Sequence, residues 1–208
     1  MAVLITVPHG ATPSGDGTHN SDTGALKMIA HLEEALEEVN VPFTTMVGKA
    51  NRDIIDLNRL RAHSHAWVNE VRKKMLASDI HIDLHSYPLV NAPTQTSTGY
   101  SLDEWGKYTV VIFNTPEVTD QELLEDIEGE LESMSISTAE EQGGFENYLT
   151  NMANVLFDLP SILVEVNEAH AQSYRQVASA LAVGILNHLA RHSEPLPLDD
   201  EPLPVELS

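Results

Sequence analysis

The 208-residue chain contains no cysteine. Neither a disulfide nor a thiolate metal site is open to it, so a transition metal would have to be held by His, Asp, Glu or water. That donor set favours a catalytic zinc-type centre over a structural one. Basic residues are scarce: 11 Lys and Arg stand against 32 Asp and Glu, a formal net charge of -21. Nucleic-acid binding needs a basic footprint and is excluded by this balance, and an anionic membrane is an equally poor partner. With only six arginines in the chain, any arginine inside a candidate site carries weight. Long apolar runs are missing too, and the apolar N-terminus has no basic leader before it meets Pro8. These absences lead us to expect a soluble, cytoplasmic protein. The 42% hydrophobic content is enough for one core. We expect a single domain over residues 1–192 and a Pro- and acid-rich, disordered tail over 193–208.

Strand-like and helix-like patterns alternate along the chain, predicting an α/β fold. A strand at about 2–8 leads through a polar loop to a helix of roughly 23–39, capped by Ser21 or Asp22. Leu26, Ile29, Ala30, Leu32, Leu36 and Val39 are expected to form its apolar face. Val41–Val47 reads as β, and Leu60–Leu76 as a helix with Trp67, Val71 and Met75 spaced for burial. A strand over Asp79–His85 precedes a loop long enough to wall a pocket. Beyond it come a β-branched run at Tyr108–Phe113, an acidic helix at Thr119–Met134 facing solvent, and a helix at 145–157. An apolar strand over Ser161–Val166 and a closing helix over His170–Arg191 complete the pattern.

Two histidines stand at strand ends. The run Asp79-Ile80-His81-Ile82-Asp83-Leu84-His85 delivers His85 to the rim of a sheet, with Asp83 two residues before it, and Pro8-His9-Gly10 follows the first strand. A histidine with a carboxylate behind it is how a metal ligand and its orienting partner are often built. His81 shares a strand face with His85 but lies roughly 13 Å away at the usual rise per residue, too far to share one metal. His31, His63, His65, His188 and His192 fall at helical positions and read as surface or satisfied core residues, while His170 follows Glu165 closely enough to line a site.

Four segments carry a family likeness: Pro8-His9-Gly10, Asp56-Leu57-Asn58-Arg59, Asp83-Leu84-His85-Ser86 and Val164-Glu165-Val166-Asn167. Their order and spacing, over roughly residues 3–170, resemble the N-formylglutamate amidohydrolase family of the zinc carboxypeptidase-like fold. The resemblance implies a three-layer α/β/α architecture with a central mixed sheet. It also implies one zinc ion held by His9, His85 and a carboxylate at a helix start. Asp16, His19 and Asp22 all lie in that region, and Asp22 matches the helix start. Glu165 takes the place of the family's catalytic glutamate, and Arg59 with Asn58 that of a pair gripping the substrate carboxylate, with Arg52 as a second arginine. The carboxypeptidase glutamate three residues after the first histidine is absent, since position 12 is threonine.

The chemistry implied is coherent. Three protein ligands leave zinc a position for water, whose pKa the metal lowers. Glu165, at the end of an apolar strand, is placed for partial desolvation and a raised pKa, suiting proton transfer in both directions. The expected function is zinc-dependent hydrolysis of the N-acyl amide of a small carboxylate-bearing amino-acid derivative, with an N-acyl amino acid or short peptide as partner. A metallo-carboxypeptidase or peptidase acting on peptides or cell-wall fragments is the alternative enzyme reading, and a non-catalytic metal-binding homologue the third. Acyl specificity is not legible in Gln142–Tyr148, where Asn147 and Tyr148 serve equally well as substrate contacts or as core and cap residues.

Overall fold

The structure, a computed structural model, describes residues 1–10, 21–52, 54–87, 106–144 and 148–193. Asp16, His19, Asn147, the pocket-walling loop over 88–105 and all but the first residue of the expected tail lie outside the described residues.

Among the described residues, six strands form one mixed sheet in the order β2-β1-β3-β6-β4-β5. They are β1 (Val3–Val7), β2 (Phe43–Val47), β3 (Ile80–Tyr87), β4 (Val110–Asn114), β5 (Thr138–Gln142) and β6 (Ser161–Asn167). The first four in spatial order run parallel, whereas β4 is antiparallel to β6 and parallel to β5. From β1 the chain goes first to one side, β2, and then returns to the other, β3. That reversal opens a crevice at the carboxyl ends of β1 and β3, where open α/β sheets place their ligands.

Five α-helices cover the two faces among the described residues: α1 (Thr23–Glu38), α2 (Ala66–Met75), α3 (Gln121–Ser133), α4 (Tyr148–Leu156) and α5 (Tyr174–Arg191). Helices α1, α3 and α5 share one core with Val3, Ile5 and Val7 of β1, Ile80, Ile82 and Leu84 of β3, and Ile162, Val164 and Val166 of β6. Leu4 of β1 faces the opposite way and packs with α2 and α4. The architecture is therefore the expected three-layer α/β/α fold.

Several local expectations need correction. In α1 the buried positions are Ala25, Met28, Ile29, Leu32, Ala35 and Leu36, while Leu26 and Ala30 face outward. The helix ends in a left-handed Asn40, whose N–H reaches Glu37 O, with Val41 N–H bonded to Leu36 O. Leu60–Leu76 is not one helix. A 3-10 turn at Leu60–Ala62 is followed by a fresh start, where His65 accepts from Trp67 N–H at 3.2 Å and caps α2. The closing helix is likewise preceded by a 3-10 segment, Glu168–Ser173, kinked at His170.

Helix α3 is acidic on one side only. It buries Leu123, Leu124, Ile127 and Leu131, and at about 1.5–3 kcal/mol per large apolar side chain this decides its placement over its exposed carboxylates. Strand β5, Thr-Ala-Glu-Glu-Gln, was not anticipated. It is a polar edge strand with no apolar alternation.

Candidate metal centre

Strand β3 divides its side chains by alternation, sending Ile80, Ile82 and Leu84 into the larger core and His81, Asp83 and His85 to the other face. In register, Thr6 of β1 pairs with Asp83, and His85 pairs with Glu165 of β6. Thr6, His81, Asp83 and His85 are all buried, so this face carries a polar seam inside an apolar layer. Each member of such a seam must be hydrogen-bonded to be tolerated there.

The partners can be traced. Thr6 Oγ1 donates to Asp83 Oδ1 at 2.7 Å, so its oxygen accepts from His81 Nε2 at 2.8 Å. His81 Nδ1 then accepts from Ser161 Oγ, also at 2.8 Å. His81 is thereby a neutral, doubly bonded imidazole. Burial pushes its pKa down to about 4, against the opposing pull of Asp83.

At the carboxyl end of this seam, His9, Asp22 and His85 converge. One ligand atom from each lies within 4.8 Å of the others, and all three residues are buried. Asp22 Oδ2 is 2.9 Å from His85 Nδ1 and 3.2 Å from His9 Nδ1, and the two rings meet edge-on with centroids 4.9 Å apart. His9 and Asp22 are also joined through the backbone, where Asp22 N–H donates to His9 O at 3.0 Å.

The far nitrogens are held from behind. His9 Nε2 donates to Asp56 Oδ1 at 2.7 Å, and His85 Nε2 lies 3.2 Å from Asp83 Oδ2. Both rings thus turn Nδ1 inward and anchor Nε2 on a carboxylate, the arrangement that orients imidazole ligands in metal sites. A tetrahedral ion with bonds of about 2.0–2.1 Å has ligand atoms roughly 3.3 Å apart, close to the two spacings from Asp22 Oδ2 to the histidine Nδ1 atoms. His9, Asp22 and His85 are therefore a donor set that could hold a divalent ion.

Electrostatics follow the same geometry. Burial raises the pKa of Asp22, but hydrogen bonding and charge from His85 and His9 outweigh it and hold the carboxyl far below its ordinary value. Asp56 is likewise held far down, burial being overcome chiefly by His9, then by Arg52 and Arg59. Burial alone would lower His85, yet Asp83 and Asp22 raise it well above its usual value. A metal ion at Nδ1 would replace that extra proton.

Glu165, paired in register with His85, shares the polar face and is the one residue of β6 with partial solvent access. Burial, reinforced by Asp22 and opposed by His85, Arg52 and His9, pushes its carboxyl up to about 7.

The arginines stand at the rim. Arg52 Nε is 3.4 Å from Asp56 Oδ2 and its Nη1 is 3.8 Å from Asp22 Oδ1. Arg59 Nε is 3.9 Å from Asp56, and its Nη1 donates to Asn58 O at 2.8 Å. Asn58 lies deeper, only 1% exposed. Its side chain donates to Asp83 Oδ2 at 2.9 Å and accepts from Leu149 N–H at 2.9 Å, while its backbone N–H donates to Asp56 Oδ1. The Asn58 side chain is thus placed behind the histidines, while its backbone carbonyl takes the Arg59 head.

Asp56 had no role assigned from sequence, although it stands two residues before Asn58; its link to His9 spans 47 positions and leaves no local signal. His170 is hydrogen-bonded to Thr109 Oγ1 at 3.0 Å. Tyr148, buried in the apolar cluster that Leu4 forms with α2 and α4, accepts from Arg72 at 2.6 Å.

No family model and no curated protein sequence matches the chain. Solved structures do share its fold. The catalytic domain of an N-acetylmuramoyl-L-alanine amidase from Bacillus (Paenibacillus) polymyxa var. colistinus superposes with a TM-score of 0.56 at 15% identity, over 91% of this chain and 98% of that one. A metallo-carboxypeptidase from Burkholderia cenocepacia gives 0.58 at 14%, over 92% of this chain and 57% of that one. An N-formylglutamate amidohydrolase from Ralstonia eutropha JMP134 gives 0.57 at 13%, over 91% and 94%. The chain has the zinc carboxypeptidase-like α/β fold. Among the described residues, no helix is long and apolar enough to cross a membrane.

Proposed function

We propose that the protein is a zinc-dependent amidohydrolase acting on the N-acyl bond of a small, carboxylate-bearing amino-acid derivative. The observation that carries this reading is the convergence of His9, Asp22 and His85 with both histidine Nε2 atoms on carboxylates. The likeness in fold to an amidase, an amidohydrolase and a metallo-carboxypeptidase agrees with it.

In this reading His9 Nδ1, Asp22 and His85 Nδ1 hold zinc, which when bound supplies Lewis acidity and an acidified water. Glu165 is the general base and acid. Its place beside His85 on the same sheet face, with access to solvent, lets it take a proton from water and return it to the departing amine. Arg59 and Arg52 supply the positive rim that a substrate carboxylate needs in a chain of net charge -21, and a guanidinium fork suits that task. Asn58 serves by holding Asp83 and Asp56 in place rather than by touching substrate.

The test is metal analysis of the zinc-reconstituted protein beside hydrolysis of N-formyl and N-acetyl amino acids and dipeptides. His85→Ala is expected to lose the metal, whereas Glu165→Gln keeps it and loses turnover. A wild-type protein that takes up no zinc would sink the reading.

A further inference from the structure

Asp22 occupies a position with two competing uses. It is the N-cap residue of α1, and an aspartate there ordinarily accepts from the N–H of the second or third helical residue. The first turn of a helix leaves its N–H groups without intrahelical partners, and a buried one must find an acceptor. Yet the Asp22 side chain makes no capping hydrogen bond, because its carboxylate is turned to His9 and His85.

The vacated task is done from elsewhere. Gly24 N–H, the second helical donor, points at Glu168 Oε1 and Ser86 Oγ, each at 3.0 Å. Ser86 Oγ in turn donates to the same Glu168 oxygen at 2.8 Å. Ser86 follows His85 on β3 and Glu168 is the first residue after β6, so the substitute cap is carried by the same two strands' C-terminal ends as His85 and Glu165. A carboxylate at this helix end also meets the positive end of the helix dipole.

The fit depends on a missing side chain. A Cβ at position 24 would come within 2.9 Å of Glu168 Cγ, 2.8 Å of Ser86 Cβ and 2.4 Å of Tyr174 Oη. Only glycine lets the Glu168 carboxylate reach the backbone there.

We propose that Glu168 is a positioning residue that caps α1 in place of Asp22 and so leaves the Asp22 carboxylate committed to the metal centre. It acts through Asp22 and touches neither metal nor substrate. Without it, Asp22 turns back to cap its own helix and the centre loses its third ligand. This rests on the reading of Asp22 as a ligand, and the experiment separates the two.

Zinc affinity is measured by chelator competition on the full chain for wild type, Glu168→Ala and Glu168→Gln. Alanine is expected to weaken zinc binding about 10- to 100-fold, the usual cost of losing an outer partner of a metal site. Glutamine, whose carbonyl still accepts from Gly24 and Ser86, stays within a few-fold of wild type. Urea midpoints of the metal-free proteins are compared in parallel for Glu168→Ala, Asp22→Ala and the double variant. Glu168→Ala is expected to shift the midpoint little alone, since Asp22 takes over the cap, but clearly in the Asp22→Ala background.

Unchanged zinc affinity in Glu168→Ala, or purely additive midpoint shifts, overturns the proposal. If wild type binds no zinc, the metal reading fails by itself, and the metal-free cycle still decides whether the two carboxylates exchange the capping role.

Discussion

Asn58 donates from Nδ2 to Asp83 Oδ2 at 2.9 Å, and its backbone N–H reaches Asp56 Oδ1 at the same distance. One residue thus braces both carboxylates that stand behind the two histidines. Asn58→Ala should weaken zinc binding about 10-fold or more, because Asp83 loses a buried partner and Leu149 N–H its acceptor. Asn58→Asp should be worse, since it sets a third negative charge between Asp83 and Asp56. Chelator competition on both variants checks the order.

Arg59 is expected to act on substrate and not on metal. Arg59→Ala should raise KM for a carboxylate-bearing substrate about 10-fold or more while zinc content stays at the wild-type level, and Arg59→Lys should recover only part of the loss. The control is a substrate whose carboxylate is replaced by an amide. If Arg59→Ala impairs both substrates equally, the guanidinium is not a carboxylate clamp.

The neutral, buried His81 makes folding sensitive to acid. Its pKa is near 6.5 in the unfolded chain and about 4 in the folded one, so below pH 6.5 the unfolded state binds the extra proton. Its contribution is intact above 6.5 and is lost as pH falls toward 4, by about 3 kcal/mol over the whole span. Replacing it with glutamine should flatten stability across that window. Urea unfolding of wild type and His81→Gln at pH 7, 5.5 and 4.5 measures the difference, and parallel pH profiles would refute it.

Helices α3 and α5 touch through Gly184, where a Cβ would lie 2.8 Å from Ile127 Cα and 3.0 Å from Asp126 O. Both neighbours are backbone atoms that cannot swing aside. Gly184→Ala should cost about 1–3 kcal/mol of stability. Zinc affinity should not change, because the crossing lies on the face of the sheet away from the metal centre. Thermal unfolding and metal titration of this one variant test both halves.

Strand and helix order was legible because most elements obey one period. Strand β3 alternates strictly, and the closing helix α5 repeats apolar residues at helical spacing. Strand β5 was not legible, since at a polar sheet edge pairing, not hydrophobicity, makes a strand. Helix α3 misled through composition: its many glutamates conceal a four-residue apolar stripe. In the candidate site, His9 and Asp22 stand just outside β1 and α1, and His85 and Glu165 stand two residues inside the ends of β3 and β6, where the family-like motifs fall. Asp56 and Glu168 carry no local sign of their roles, because their partners are 47 and 144 positions away and only the assembled sheet makes them neighbours. Asn58 was visible as a motif residue, but nothing local says which way its amide points.

The backbone hydrogen bond from Asp22 N–H to His9 O pins the chain where it leaves β1 and where it enters α1. The bond ties the two residues together directly and so sets how far apart their side chains stand. If His9 and Asp22 hold a metal as proposed, the distance between their donor atoms is a property of the β1–α1 junction itself.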